Sequence, residues 1–148
     1  MNDRREYPER PLVGVGGVVL SQGRVLLIRR GTPPLEGEWS IPGGMLEVGE
    51  TILEGVQREL AEETGIEVRV RDLIEVLERI SLDPAGKPKY HFVILDYLCE
   101  KISGQARAGS DVTDVAWAAE AELPRYSLTP AATRVIHMAF EIARGRAQ

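Results

Sequence analysis

Cysteine and histidine are scarce in this chain of 148 residues, which has one cysteine, Cys99, and two histidines. A single cysteine cannot form an intramolecular disulfide, and the lack of a disulfide framework is typical of cytosolic proteins. A tetrahedral zinc site needs cysteine and histidine at ligand spacing, which this sequence does not provide. We therefore expect a cytoplasmic protein without a tetrahedral zinc site.

Long hydrophobic runs are also missing, and so is an excess of positive charge. No stretch approaches the roughly 18 apolar residues of a membrane-spanning helix, and the first residues, MNDRREYPER, contain no apolar segment of a secretory signal. The net charge is −5, whereas proteins that bind duplex nucleic acid usually carry a basic patch. We expect no membrane partner, no duplex nucleic acid, and either a monomer or a homodimer.

The length and composition fit one globular domain, because 43% of the residues are hydrophobic and the chain is long enough to bury a core. Residues 1 to 10 are charged and are predicted to form a flexible tail, which leaves residues 11 to 148 as a single domain. Alternating apolar residues predict a hairpin from Leu12 to Arg30. A helix is predicted to start at Thr129 and Pro130, as N-cap and first helical residue.

An acidic helix is the most distinctive segment of the chain. Thr51 and Glu54 have the spacing of a capping box, and Gly65 is a stop signal. Between them, Glu59, Glu62 and Glu63 lie at positions i, i+3 and i+4, so their carboxylates project from one face. Like charges at this spacing repel each other, and a bound cation would relieve the repulsion.

Arg58 can supply part of that positive charge, but one guanidinium cannot neutralise three carboxylates. Hard divalent cations prefer oxygen ligands, and Mg²⁺ is the usual ion where phosphates complete the coordination. The alternative for an isolated acidic motif is a solvated helix face with internal salt bridges. The residues around the motif argue for the metal site.

Those surrounding residues match the pattern G-x5-E-x7-R-E-U-x-E-E-x-G-U, in which U is a bulky aliphatic residue. The defined positions are Gly44, Glu50, Arg58, Glu59, Leu60, Glu62, Glu63, Gly65 and Ile66. This pattern is the Nudix box, and the chain therefore resembles the Nudix hydrolases. The resemblance implies an α/β (α+β) fold, an α/β/α sandwich with a mixed sheet. It also implies Mg²⁺- or Mn²⁺-dependent hydrolysis of a nucleoside diphosphate linked to another moiety.

The resemblance also implies roles for individual residues. Metal ligation falls on the glutamates at 59, 62 and 63, joined by the carbonyl of Gly43. Arg58 orients the glutamates and Glu50 supports the geometry of the loop and helix. Gly43 and Gly44 are placed beside the substrate. The catalytic base is expected among the glutamates of the box first, and Asp111 is the second choice.

Three further positions are less well defined by the sequence. In similar proteins a basic residue at the position of Arg29 or Arg30 contacts the substrate phosphate, and adjacent strand residues face opposite ways, so at most one should do so. The alternative is a surface pair at a strand end. Asp96 interrupts an apolar strand and is either a paired structural carboxylate or a residue of the site.

The segments around the box are predicted with less detail. Pro42-Gly43-Gly44 is expected to turn the chain tightly into the acidic helix. Val68 to Ile80 is expected to form a bent strand or a strand pair. Substrate specificity is expected from the loops at 31–38, 81–89 and 120–129.

The substrate remains open between ADP-ribose-like compounds, nucleoside triphosphates including oxidised ones, and dinucleoside polyphosphates, with a preference for the first two. The competing hypothesis is a sensor that binds a nucleotide such as ADP-ribose without cleaving it. A lost glutamate or arginine in the box would favour the sensor, and none is missing.

Overall fold

The structure is a computed structural model that describes residues 5–33 and 35–147. Within these ranges, strands, two α-helices and a 3-10 helix alternate along the chain. The elements are β1 (Leu12–Ser21), β2 (Arg24–Arg30), β3 (Trp39–Ser40), β4 (Gly43–Met45), α1 (Ile52–Thr64), β5 (Glu67–Leu82), β6 (Pro88–Ser103), β7 (Val112–Ala119), the 3-10 helix (Glu120–Tyr126) and α2 (Pro130–Ala147).

The strands form one mixed sheet, in the order β3-β2-β1-β6-β5, with β4 paired to β1 and β7 paired to β2. Strands β1 and β6 are parallel and the other pairs are antiparallel. The hairpin of β1 and β2 pairs only near its turn, where Leu20 faces Val25. Beyond that point the two strands take different partners, and the sheet divides into a β1/β4 side and a β2/β3 side.

Each face of the sheet is covered by one helix and has its own apolar cluster. The cluster under α1 contains Val56 and Leu60 of the helix, and the cluster under α2 contains Val135, Ile136 and Ala139. These residues are all fully buried, because the apolar stripe of each amphipathic helix faces the sheet. The arrangement confirms the predicted α/β/α sandwich with a mixed sheet.

Glycines in the central strand β1 allow its neighbours to approach closely. A Cβ atom at Gly17 would lie 2.8 Å from Cδ2 of Leu60, so the absent side chain lets α1 pack directly on the strand. A Cβ atom at Gly16 would lie 2.5 Å from Oδ1 of Asp96 on the other face. The strand therefore separates α1 from the Asp96 carboxylate by its backbone alone.

One prediction about local structure was wrong, and one pair of alternatives is resolved. Gly43 and Gly44 do not form a tight turn into the acidic helix, because they pair with Gly16 and Val15 as part of β4. Of the two alternatives predicted for Val68 to Ile80, the bent strand is correct, because the whole segment lies within the single strand β5. Shifts in register between residues 70 and 75 bend this strand against β6.

Glu6 and Tyr7, near the start of the described chain, contact the hairpin of β5 and β6. The Tyr7 N–H donates to the carbonyl of Lys89 over 2.8 Å, and the Tyr7 hydroxyl donates to Asp83 over 3.0 Å. The rest of the predicted tail, residues 1 to 4, lies outside the described residues. Among the helices that the structure describes, none is long and apolar enough to cross a membrane.

Candidate active site

The ends of α1 have the geometry that the sequence predicted. The Thr51 side chain accepts from the Glu54 N–H over 3.2 Å, and the Glu54 side chain accepts from the Thr51 N–H over 2.9 Å. Gly65 ends the helix in the left-handed conformation, with φ of 73°. Both ends are fixed by local hydrogen bonds. The packing of Val56 and Leu60 on the sheet sets which way the glutamates face.

Arg58 connects the first half of the motif to the helix. Its Nε donates to Glu50 Oε2 over 2.6 Å and its Nη2 donates to Glu50 Oε1 over 2.9 Å. The guanidinium holds the pKa of Glu50 down to about 2. Nη1 donates to Glu59 over 2.8 Å and contacts Glu62 at 3.3 Å, and Nη2 also donates to the carbonyl of Met45. Arg58 thus contacts the loop, Glu59 and Glu62 with one side chain.

The Glu59 carboxylate lies against the backbone of Gly44. A Cβ atom at residue 44 would collide with the carboxylate carbon and both oxygens, so only glycine leaves room for Glu59 there. Burial raises the pKa of Glu59 above its usual range, and the hydrogen bond from Arg58 opposes that shift. Glu59 is therefore held between a guanidinium and a backbone cradle.

Glu63 is the most enclosed of the three glutamates, with 7% of its surface exposed. Its Oε1 accepts from the Gly43 N–H over 2.8 Å. Burial raises the pKa of Glu63 to about 7, although the Gly43 hydrogen bond acts in the opposite direction. Two consecutive glycines of β4 thus contact two glutamates of α1: the backbone of Gly43 contacts Glu63, and the backbone of Gly44 contacts Glu59.

The direction of the Gly43 carbonyl follows from the register of β4. Gly17 N–H donates to the Pro42 carbonyl, and Leu46 N–H donates to the Val13 carbonyl. Between these bonds Val15 and Gly44 face each other, so the N–H and the carbonyl of Gly43 both point away from β1. The N–H points to Glu63, and the carbonyl lies on the same edge of the strand.

A loop before β7 is attached to the end of α1. Arg107, Gly109 and Ser110 donate their N–H groups to the carbonyls of Thr64, Glu63 and Glu62 over 2.9, 2.9 and 3.0 Å. These bonds satisfy carbonyls that have no partner within the helix. A side chain at Gly109 would collide with the Glu62 carbonyl. The loop therefore fixes Asp111, which has a positive φ of 58°, beside the acidic helix.

The three glutamates border a cavity of about 460 Å³. Its walls include Arg30, Asp111, Gly43, Gly44 and Arg58. Of the arginine pair at the end of β2, only Arg30 lines the cavity. Arg29 points away from it, donating from Nε to the Gly37 carbonyl over 3.0 Å. Of the two arginines, Arg30 is therefore the one placed where a ligand in the cavity could be contacted.

Two of the three loops that were expected to set substrate specificity reach this cavity. Thr32, Leu35 and Glu38 line it from the first loop, and Thr129 lines it from the last. Among the described residues, none from the loop at 81–89 lines the cavity, so this loop lies away from it. The sequence did not predict the docking of Gly109 onto α1. For Asp96 it left two alternatives open, and the structure places this residue in the cavity wall.

In the described part of the chain, no three acidic, histidine or cysteine side chains already converge as a preformed metal cage. One oxygen of Glu59 is engaged by Arg58, and one oxygen of Glu63 is engaged by Gly43. The remaining carboxylate oxygens and the Gly43 carbonyl are hard donors along one edge of the cavity. This donor set fits Mg²⁺ or Mn²⁺, which keep open positions for substrate oxygens, better than it fits zinc.

Comparison with known proteins assigns this architecture to a family. The model of the NUDIX domain matches residues 10–139. A crystal structure of the MutT NUDIX hydrolase from Burkholderia pseudomallei superposes with a TM-score of 0.75 at 34% identity, covering 88% of this chain and 98% of that one. The protein belongs to the Nudix family.

Two curated relatives differ in their described substrates. The ADP-ribose pyrophosphatase of Methanocaldococcus jannaschii is 36% identical over 104 residues, which are 70% of this chain and 59% of the relative. The chain thus spans less than two thirds of that relative's length. A putative 8-oxo-dGTP diphosphatase 2 of Mycobacterium tuberculosis is 36% identical over 118 residues, covering 79% of both chains.

Proposed function

We propose that the chain is a metal-dependent hydrolase that cleaves the pyrophosphate linkage of a nucleoside diphosphate attached to another moiety. The observation that carries the proposal is the meeting of Glu59, Glu63 and the Gly43–Gly44 backbone at one edge of a cavity large enough for a nucleotide. The substrates of the two relatives support ADP-ribose-like compounds and nucleoside triphosphates, including oxidised ones, as the candidates.

Glu59, Glu62, Glu63 and the Gly43 carbonyl would hold Mg²⁺, with Mn²⁺ as a possible substitute. When bound, the ion neutralises phosphate charge and lowers the pKa of a coordinated water, which makes attack on phosphorus possible at neutral pH. Glu62 is the most exposed of the three glutamates, with 47% of its side chain exposed, and can rotate towards an arriving ligand. Arg58 keeps Glu59 in place while this happens.

Arg30 is the proposed contact to the substrate phosphate, because it lines the cavity. Burial lowers the pKa of Arg30, and the nearby charge of Glu63 opposes that shift. A guanidinium can bind two phosphate oxygens at once and stabilise charge on the leaving group. Arg29, which bonds to Gly37, is assigned no contact with the substrate.

The proton of the attacking water needs a carboxylate acceptor. We assign this role to a glutamate of the box first and to Asp111 second, as the sequence indicated. Asp111 stands in the same cavity wall and is close enough to Glu63 to raise the pKa of that glutamate. Asp111 lies on a loop and Glu63 lies on α1, so each candidate can be substituted without altering the element that carries the other.

The proposal is tested by incubating the purified chain with Mg²⁺ and a panel of ADP-ribose, nucleoside triphosphates, 8-oxo-dGTP and dinucleoside polyphosphates, and identifying the products. Excess EDTA should stop hydrolysis, and restored Mg²⁺ should recover it. Glu63→Gln should abolish turnover, and Glu141→Gln, which changes an exposed carboxylate on α2, should not. Undiminished hydrolysis in EDTA would rule out the proposed chemistry. Tight nucleotide binding without turnover under any divalent ion would favour the sensor.

A further inference from the structure

Asp96 is a buried carboxylate that the proposed chemistry does not use. Only 5% of its surface is exposed, yet it lines the cavity and forms no hydrogen bond or ion pair within the residues that the structure describes. A buried carboxylate without a partner is costly, so such groups are usually paired. No fully enclosed side-chain oxygen in the described residues lacks a hydrogen-bond partner, so the Asp96 carboxylate is open to the cavity, where a ligand can supply its partner.

The neighbouring carboxylate of Glu75, unlike that of Asp96, has a partner in the protein. Glu75 lies directly across from Asp96 on β5, and both of its oxygens accept from Nη2 of Arg134 over 3.1 Å. Glu75 does not line the cavity. The sheet thus holds two adjacent acidic residues, of which one is neutralised by α2 and the other is directed to the cavity.

The distance between Asp96 and the edge of the cavity formed by Gly43 and the glutamates matches the length of one nucleoside. Gly43, Gly16 and Asp96 are consecutive cross-strand neighbours on β4, β1 and β6, which places Asp96 about 10 Å from Gly43 at ordinary strand spacing. A diphosphate at the glutamates would therefore leave its sugar and base to extend towards Asp96. Leu77, Phe92 and Ile94 form an apolar wall beside it.

We infer that Asp96 is the specificity-determining residue of a nucleobase subsite, where its carboxylate accepts hydrogen bonds from two adjacent N–H groups of a guanine-type base. The inference rests on the proposed function for the nucleotide nature of the substrate. Guanine, oxidised at C8 or not, offers N1–H and N2–H₂ side by side. Adenine, cytosine and uracil each place an acceptor next to their donor.

The ionised carboxylate has only acceptors and rejects a base that presents an acceptor in the same place. Burial raises the pKa of Asp96 to about 6, Glu75 adds to the shift and Arg79 opposes it. Asp96 is therefore ionised at pH 8. Asparagine in its place has the same shape but presents one donor and one acceptor, which matches adenine better than guanine.

The test compares the binding of GMP, AMP, CMP and UMP at pH 8 with Mg²⁺, followed by tryptophan fluorescence, to which Trp39 in the cavity wall contributes. The wild type should bind GMP roughly tenfold or more tightly than the other three, as expected for a bidentate contact. Asp96→Asn should remove most of this preference and improve AMP binding. Glu75→Gln, the matched neutralisation one strand away, should keep it.

Gly16→Ala provides a second variant, because the added Cβ atom would displace the Asp96 carboxylate without removing its charge. It should weaken GMP binding more than AMP binding. The inference is overturned if the wild type shows no preference for GMP, if Asp96→Asn weakens all four ligands equally, or if Glu75→Gln has the same effect as Asp96→Asn.

Hydrolysis of GTP and ATP by the same proteins separates this inference from the proposed function. A GMP preference that depends on Asp96, without turnover of either triphosphate, would contradict the hydrolase and support the subsite. Turnover of GTP and ATP at equal rates, with no preference for either base, would support the hydrolase and contradict the subsite. The same conclusion would follow if the loss of binding in Asp96→Asn depended on the sugar, ribose or deoxyribose, and not on the base.

Discussion

Arg58 and Glu50 form a two-pronged ion pair across eight residues of the chain, with Nε and Nη2 of the arginine 2.6 and 2.9 Å from the two carboxylate oxygens. The pair ties the loop before α1 to the middle of the helix. It also leaves Nη1 directed at Glu59 over 2.8 Å. The planar guanidinium makes both contacts at once, so the loop, the helix and one proposed metal ligand share a single fixed side chain.

Arg58→Lys should lower turnover although it preserves the charge, because an ammonium cannot bond both oxygens of Glu50 and still position Glu59. The expected loss in kcat/KM is roughly 10- to 100-fold, the usual effect of losing a residue that orients metal ligands. The matched control is Arg69→Lys, which alters an exposed arginine on β5. Equal activity of the two variants would show that Arg58 does not position Glu59.

The features that the sequence predicted best are those set by local spacing. The capping box of Thr51 and Glu54 and the common face of Glu59, Glu62 and Glu63 depend only on residues within a turn or two of each other. Once the helix forms, its geometry alone determines these contacts and this shared face. The start of α2 was likewise correct, since Thr129 accepts from the Ala132 N–H over 3.1 Å.

The features that escaped prediction depend on which strands become neighbours. Gly43 and Gly44 have the composition of a turn, but pairing with β1 extends them into a strand, a tertiary effect that overrides local preference. Asp96 could have been paired or directed to the site. Its position followed only from the register of β6 against β1 and β5, which sequence patterns do not specify.

Gly109 is a position where an added methyl group should disturb the acidic helix from outside. A Cβ atom there would collide with the carbonyl of Glu62, so Gly109→Ala must move the loop that carries Asp111. We expect a loss of about 1 to 3 kcal/mol in the free energy of unfolding, and lower turnover. Chemical denaturation and kcat/KM measure the two effects.

The control for this variant is Gly145→Ala. Nothing lies within 4 Å of a Cβ atom at Gly145, which is inside α2. Alanine is favoured over glycine in a helix by roughly 0.5 to 1 kcal/mol, so this variant should be neutral or slightly stabilised. If Gly109→Ala matched it in stability and turnover, the loop would not be anchored as the hydrogen bonds indicate.

Glu63 should make the stability of the metal-free protein depend on pH. Its pKa is about 7 in the folded chain against an ordinary value of 4.5, so between these values the folded state binds more protons than the unfolded state. The free energy of unfolding should therefore fall as the pH rises from about 4.5 to 7 and stay low above it. The upper bound of this loss is about 3 kcal/mol.

Glu63→Gln removes that charge and keeps an oxygen to accept from Gly43. In EDTA, the variant should be more stable than the wild type at pH 8 and equally stable near pH 4. Comparing the two proteins by urea denaturation cancels the titration of groups that do not interact with Glu63, including Asp96. A difference in stability that is constant across this range would contradict the raised pKa of Glu63.

Mg²⁺ should reverse this order at high pH, because a cation binds the ionised carboxylates and stabilises the folded state that contains them. With the ion at about 100 times its dissociation constant, the gain is about 2.7 kcal/mol. For a chain of this size that corresponds to a rise in Tm of roughly 5 to 10 °C. At pH 5.5, where Glu63 is protonated, the rise should be much smaller.

The measurement is the Tm with and without Mg²⁺ at pH 5.5 and pH 8, in the absence of nucleotide, so that it does not depend on turnover. Glu63→Gln should lose most of the increase at pH 8, and Glu141→Gln should retain it. An equal increase in Tm for Glu63→Gln and the wild type would place the ion elsewhere. No increase in the wild type at any Mg²⁺ concentration would mean that the acidic helix does not hold the ion without substrate phosphates.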